Sequence, residues 1–192
     1  MVTLAAHERA RPHLETQARH AQGQDSVHAT VRYELLMTDR IVIRPAQASD
    51  SDFVAGLVPS LLQFGSPAWD NADALAPGFR EVLVNAVRAQ DPRAAVLIAE
   101  GADGTPLGFV SLKVSTDVTG SERGHVADLA VREDARRMGV GQALMQAGEA
   151  WARKRGLTAL SLDVWSTNQP ALAFYRTLGY RPESLCLTKP LN

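Results

Sequence analysis

Arg136-Arg137-Met138-Gly139-Val140-Gly141 decides how the rest of the chain is read, because it joins an apolar strand, Val126 to Val131, to the first turn of an amphipathic helix. A short, Gly-containing strand-to-helix turn points several backbone N–H groups outward at the positive end of a helix dipole, which makes an anion site. The helix itself is legible from spacing. Val140, Leu144, Ala147 and Trp151 recur at helical intervals, with Gln142, Gln146, Glu149 and Arg153 between them. Lys154 and Arg155 suit the negative end of the dipole, and Gly156 is placed to stop the helix in a left-handed conformation.

What the turn lacks narrows the anion. A P-loop needs Gly-Lys-Ser/Thr, but Gly141 is followed by Gln142 and Ala143. The dinucleotide fingerprint needs a third glycine where this chain has Leu144. Neither nucleoside triphosphate hydrolysis nor a nicotinamide cofactor is expected.

Downstream, Leu160, Leu162 and Val164 alternate with Ser161, Asp163 and Trp165, the period of a strand. A second helix follows: Asn168 can cap it, Pro170 is tolerated in its first turn, Leu172, Tyr175 and Leu178 share one face, and Gly179 ends it.

The Arg-x-x-Gly-x-Gly pattern behind a strand resembles the pyrophosphate-binding motif of the GNAT superfamily of acyl-CoA N-acyltransferases. The run from Asn168 through Ala171, Phe174-Tyr175 and Leu178-Gly179-Tyr180 resembles that family's second signature. Both motifs, in that order and separated by one helix and one strand, are far more specific than either alone. The resemblance covers Val126 to Pro182 and extends faintly back to Ile41. It implies an α/β (α+β mixed) fold, a twisted mixed sheet flanked by helices, with acetyl-CoA bound where neighbouring parallel strands splay apart.

Composition agrees with one domain plus an appendage: 192 residues at 45% hydrophobic content suffice for one well-buried core. A formal charge of −1 without a long basic run argues against a nucleic-acid surface. The lone Cys186 excludes an intramolecular disulfide framework, and its neighbours Leu185 and Leu187 suggest a small buried hydrophobe rather than a nucleophile. No stretch is apolar enough to span a membrane and no signal peptide is recognisable, so a cytoplasmic location is expected. A homodimer stays open.

The organisation changes near Met37. Residues 1–36 hold four of the five histidines, His7, His13, His20 and His28, scattered without metal-ligand spacing and with little aliphatic periodicity. They read as a loosely ordered extension, and Met37-Thr-Asp-Arg as an authentic start; residues 37–192 form the expected domain, with no metal site. Ile41 to Arg44 is a strand. Ser49-Asp50 opens a helix that Pro59 kinks or splits. Gln63 to Ala76 reads as loop, and helical spacing resumes from Pro77 to Ala89. Ala94 to Glu100 and Leu107 to Ser115 are strands flanking the turn dipeptide Asp103-Gly104. Thr116 to Arg123 reads as loop, and a final strand is expected at Ser184 to Thr188.

Acetyl transfer from a thioester to an amine requires donors for the developing oxyanion, an acid for the thiolate and a neutral amine. The resemblance implies that N–H groups from about Met138 to Gln142 bind the pyrophosphate and that the main chain of Leu129 and Val131 pairs with the pantetheine arm. The implied cofactor-binding set is Leu129, Ala130, Val131, Arg136, Arg137, Met138, Gly139, Val140, Gly141, Gln142 and Asn168; for Asn168, plain helix capping is the alternative. Val126 and Leu129 break strict alternation, consistent with a bulge that aims an N–H at the acetyl oxygen. Tyr175, whose phenol has a reference pKa of about 10, is the candidate acid, against a role as a core aromatic. Asp128 is the candidate base, with His125 and Glu122 as alternatives; a structural hydrogen bond would explain the same carboxylate. Phe64, Trp69, Asp70 and Asp73 are candidates for an acceptor wall that favours a cation. The expected activity is direct acetyl transfer from acetyl-CoA to a primary amine of a small molecule. A protein N-terminus or lysine is the second acceptor class, and an acyl-CoA-binding regulatory module without turnover is the competing reading.

Overall fold

The computed structural model describes residues 41–63, 72–89, 91–117 and 119–189. Five strands form one sheet in the order β1 (Ile41–Pro45), β2 (Ala94–Gly101), β3 (Pro106–Thr116), β4 (Glu122–Val131) and β5 (Leu160–Leu162). The first three pairings are antiparallel and β4–β5 is parallel, with a helix crossing between them. This is the expected mixed α/β architecture.

Side-chain alternation along the strands builds two apolar layers. On one face, Leu97, Val110, Leu112 and Val126 pack with Leu144, Ala147 and Trp151 of α4 (Val140–Lys154) and with Phe174 and Tyr175 of α5 (Gln169–Thr177). On the other, Val96, Ile98, Phe109 and Ala130 pack with α1 (Ser51–Gly56), α2 (Val58–Leu62) and α3 (Ala72–Arg88) through Val54, Val58, Leu83 and Val87. The helical period read from Val140 to Trp151 therefore marks the buried stripe. Gly156, at φ 73°, ends α4 as expected, and the Arg155 guanidinium lies 4.3 Å above the Trp151 ring.

At the N-terminal edge, Arg44 on β1 grips Asp50 through two hydrogen bonds of 2.7 and 2.8 Å and Glu100 on β2 through a third of 2.6 Å. The Gln47 N–H also donates to the Asp50 carboxylate. This network fixes the entry of the chain into α1.

Pro59 splits the first helical run, as expected, α1 ending at Gly56 and α2 starting at Val58. Other expectations need correction. The helix expected from Pro77 begins at Ala72, so Pro77 lies inside α3 and the loop expected to reach Ala76 ends sooner. Burial of Leu83 and Val87 outweighs the single amide bond that a proline forgoes. The expected loop from Thr116 to Arg123 shrinks to a turn, because β3 runs to Thr116 and β4 starts at Glu122; Asp117 Oδ1 accepts from the Thr119 and Ser121 amides to close it.

The strand expected at Ser184 to Thr188 does not form, and Leu185, Cys186 and Leu187 are exposed. Alternation licenses a strand only where a sheet edge takes up its hydrogen bonds, and this segment joins no ladder. Cys186 is accordingly not a buried hydrophobe. Residues 1–36 lie outside the described residues. No described helix is long and apolar enough to cross a membrane.

Candidate active site

The site is organised by an irregularity in β4. Ser111 of β3 faces Asp128 and Leu112 faces Val126, so Ala127 is an extra residue on β4, the bulge that the broken alternation suggested. Beyond the bulge β4 also loses its other neighbour. The parallel ladder to β5 consists of Gly124–Leu160, His125–Ser161 and Val126–Leu162, and stops there. From Ala127 to Val131 the β5 side of β4 therefore has no strand partner among the described residues. Leu129, Ala130 and Val131 all lie on this open stretch.

The chain then passes through a 3-10 turn, Glu133–Ala135, into Arg136 and Arg137. Arg137 takes φ 64°, the one non-glycine residue with positive φ among the described residues, a conformation that costs roughly 1–2 kcal/mol. Gly139 follows at φ 85° as the residue before α4. No side chain caps this helix. The amides of Val140, Gly141 and Gln142 thus lie at its positive end without intrahelical acceptors, flanked by the exposed Arg136, Arg137 and Met138. Gly141 has ordinary backbone angles and a different reason to be glycine: a Cβ there would sit 3.3 Å from Phe174 Cζ. Open edge, uncapped amides and two exposed guanidinium groups fit an elongated ligand ending in a pyrophosphate.

Phe174 also connects the turn to α5. Asn168 caps that helix, its side-chain oxygen accepting from the Ala171 amide at 3.1 Å, so the capping role is realised. Seven residues on, Tyr175 is half-buried in the same apolar layer as α4, its ring centroid 5.3 Å from that of Phe174 and 6.0 Å from that of Tyr180. Burial pushes its phenol up to about 12, and its hydroxyl makes no hydrogen bond among the described residues. A proton is therefore held on an oxygen that has no partner among the described residues.

Asp128 is partly buried on β4, and burial raises its carboxyl to about 6, the Lys113 ammonium pulling the other way. No hydrogen bond or ion pair satisfies it among the described residues, so the structural explanation raised by the sequence finds no partner. His125 is held by Ser161, its Nδ1 lying 3.2 Å from the Ser161 hydroxyl. Burial and then Lys113 lower the His125 imidazole below its ordinary value, against an opposing Asp163 carboxylate. Glu122 is bound to Arg93 at the far end of β4 and is not part of this group.

An open pocket of about 340 Å³ lies between the α1–α2 corner, at Gly56, Pro59, Ser60 and Gln63, and the end of β4, at Val131, Glu133 and Arg136. The sequence reading placed the acceptor wall in the first helices but missed these corner residues; the signal was Pro59, which breaks the helix and opens the corner. Phe64, Trp69 and Asp70 lie outside the described residues, and Asp73 is described only as part of the α3 backbone. Among the described residues no cluster of His, Cys, Asp and Glu could hold a metal ion.

Residues 64–180 match the model of the acetyltransferase (GNAT) family. Aminoglycoside N(6')-acetyltransferase type 1 of Klebsiella aerogenes is 40% identical over 103 residues, 51% of this chain and 68% of that protein. Streptothricin acetyltransferase of Streptomyces lavendulae is 33% identical over 91 residues, 47% of each chain, so this protein spans less than half of that relative's length. The fold is shared with a GCN5-related N-acetyltransferase from Ralstonia eutropha JMP134, at a TM-score of 0.61 and 25% identity over 79% of this chain and 98% of that one. A family match over most of the chain, spanning the turn and the two helices just described, makes this protein a member of the GNAT family of acetyltransferases.

Proposed function

We propose that this protein transfers the acetyl group of acetyl-CoA directly to a primary amine of a small molecule. The observation that carries the reading is the juxtaposition on β4 and α4: an unpaired strand edge, Ala127–Val131, leads through the turn into the uncapped amides of Val140, Gly141 and Gln142. The edge suits the amide groups of a pantetheine arm, and the helix start suits a pyrophosphate. Arg136, Arg137 and Met138 flank the phosphates, Gly139 and Gly141 admit them, and Asn168 borders the arm while capping α5.

Bound acetyl-CoA supplies an activated acyl group; the chain supplies position and protons. The bulge at Ala127 frees a backbone N–H for the acyl oxygen, where charge develops. Asp128, with its carboxyl near 6, is ionised near neutrality yet basic enough to relieve an ammonium of its proton. Tyr175 is protonated at every physiological pH and donates to the departing thiolate. The relatives' names, aminoglycoside and streptothricin acetyltransferase, support a small amine acceptor.

Thiol release from acetyl-CoA across a panel of small amines, N-terminal peptides and lysine peptides tests the proposal. Turnover with a small amine is expected. Tight acetyl-CoA binding without release by any acceptor would instead identify a binding module, and release only with peptides would reassign the acceptor.

A further inference from the structure

We propose that Ser111 binds the acceptor amine, its hydroxyl oxygen accepting an N–H from the same nitrogen that Asp128 deprotonates. This role rests on the acetyl-transfer reading above and adds a second polar contact to the acceptor site.

Strand register brings the two side chains together. Ser111 on β3 and Asp128 on β4 are directly opposed, as are Lys113 and His125. Residues two apart on β3 point to one face, so all four share it. On β4 the extra residue, Ala127, makes this possible, since residues three apart on a regular strand point to opposite faces. The shared face is the one that meets the first three helices: Phe109, two residues before Ser111, and Ala130, two after Asp128, both belong to that apolar layer. Opposed residues of antiparallel strands hold their Cβ atoms about 5 Å apart, a span over which one nitrogen can hydrogen-bond to both side chains.

Packing alone does not account for a serine at this position. Among the described residues three polar side chains are buried, Asp50, Ser51 and Ser111. Asp50 is held by Arg44 and the Gln47 amide, and the Ser51 hydroxyl donates to the Ala48 carbonyl oxygen at 2.8 Å. Ser111, only 7% exposed, makes no side-chain hydrogen bond among the described residues. The half-buried Asp128 opposite it is equally without a partner. A buried hydroxyl left unpaired is less favourable than the methyl group of alanine. The β2 residue opposed to Ser111 is the buried Val96, and α1 and α2 bring Val54 and Val58 to this layer with no charged residue from Phe53 to Leu62. An ammonium supplies what both groups lack. It donates one N–H to the Asp128 carboxylate, which takes that proton, and a second to Ser111 Oγ, which holds the nitrogen at the sheet once it is neutral. Ser111 gives and takes no proton, so the proton count of the transfer is unchanged.

The test uses the full chain with Ser111→Ala and the near-isosteric Ser111→Cys, whose thiol is a weak acceptor. Both variants are expected to melt at or above the native temperature, because no bond within the fold is lost, and to keep acetyl-CoA affinity. With the small amine that turns over fastest in the panel above, both are expected to raise the KM for the amine about tenfold, with kcat within about twofold and the acidic limb of the pH profile in place. That limb separates Ser111 from Asp128, whose loss removes it. A native KM in both variants, or a raised KM in Ser111→Ala alone, would mark the hydroxyl as filling space only and overturn the proposal while acetyl transfer stands. A fall in melting temperature of several degrees in both would show a structural bond and overturn it as well. Absence of thiol release by the native protein with every amine overturns both readings.

Discussion

Gly141 in the first turn of α4 lies against Phe174 of α5, so close that a Cβ on the glycine would stand 3.3 Å from the ring. The contact ties the glycine-containing turn to the helix that carries Tyr175, and the two glycines of the turn do different work. Gly139 is needed for its left-handed backbone, Gly141 for lack of a side chain. Gly141→Val is expected to displace Phe174 and weaken acetyl-CoA binding at least tenfold, whereas Gly139→Ala should cost about 1 kcal/mol of stability through backbone strain as well as affinity. Calorimetry with thermal melts separates the two. Unchanged affinity in a folded Gly141→Val protein would falsify the assignment of the turn.

Asp128 makes opposite predictions for activity and stability. With its carboxyl near 6 in the fold against about 3.9 in the unfolded chain, the folded state holds the proton more tightly. Stability therefore declines as pH rises from about 4 through 6, by up to roughly 3 kcal/mol for a two-unit shift. Asp128→Asn should raise the melting temperature at pH 7.5 and change it little at pH 4. The same variant should lose about 100-fold or more in kcat/KM, lose the acidic limb near pH 6 and recover partly at high pH, where more amine is neutral. A variant that is both active with its limb intact and no more stable would return Asp128 to an ordinary strand residue.

Tyr175→Phe isolates the acid. The hydroxyl has no partner among the described residues, so its removal should leave the melting temperature and acetyl-CoA affinity nearly unchanged while kcat falls. A large drop in stability with kcat preserved would mark the residue as core alone.

The Arg44–Asp50–Glu100 network predicts an acid-sensitive edge. Burial pushes the Asp50 carboxyl up, but the Arg44 hydrogen bonds and the Gln47 amide win and hold it below the usual carboxylate range. Its contribution is present above about pH 4 and is lost as pH falls through the lower folded value. Asp50→Ala, which leaves Arg44 with Glu100 alone, should cost about 3 kcal/mol at neutral pH and less at pH 2. Urea melts at the two pH values check the sign.

Residues 1–36 precede the family match, and their composition offers little apolar surface for docking. A chain starting at Met37 should keep its melting temperature and acetyl-CoA affinity. A large fall in either, or loss of a dimer in sedimentation, would show that the segment packs as an arm.

Elements governed by neighbours in sequence were legible before the fold. α4 could be read from the 3.6-residue spacing of Val140, Leu144, Ala147 and Trp151, and its end from Gly156, because periodicity and left-handed termination act within one or two turns. Asn168 capping α5 is equally local. Ser184 to Thr188 carried the same quality of signal and failed, since a strand exists only if another strand receives it.

By itself the sequence determined most of the order of elements, the glycine-containing turn before α4 and the two signatures that place the chain in its family, all set by short-range sterics, spacing and dipoles. Only the tertiary structure decided what the turn and strand are used with: that β4 outruns β5, that Ala127 is the bulged residue, that Asp128 and His125 share a face, and that Gly141 yields to Phe174. These depend on register between strands distant in sequence. A shift of one residue exchanges the two faces of a strand, and no local propensity fixes that choice.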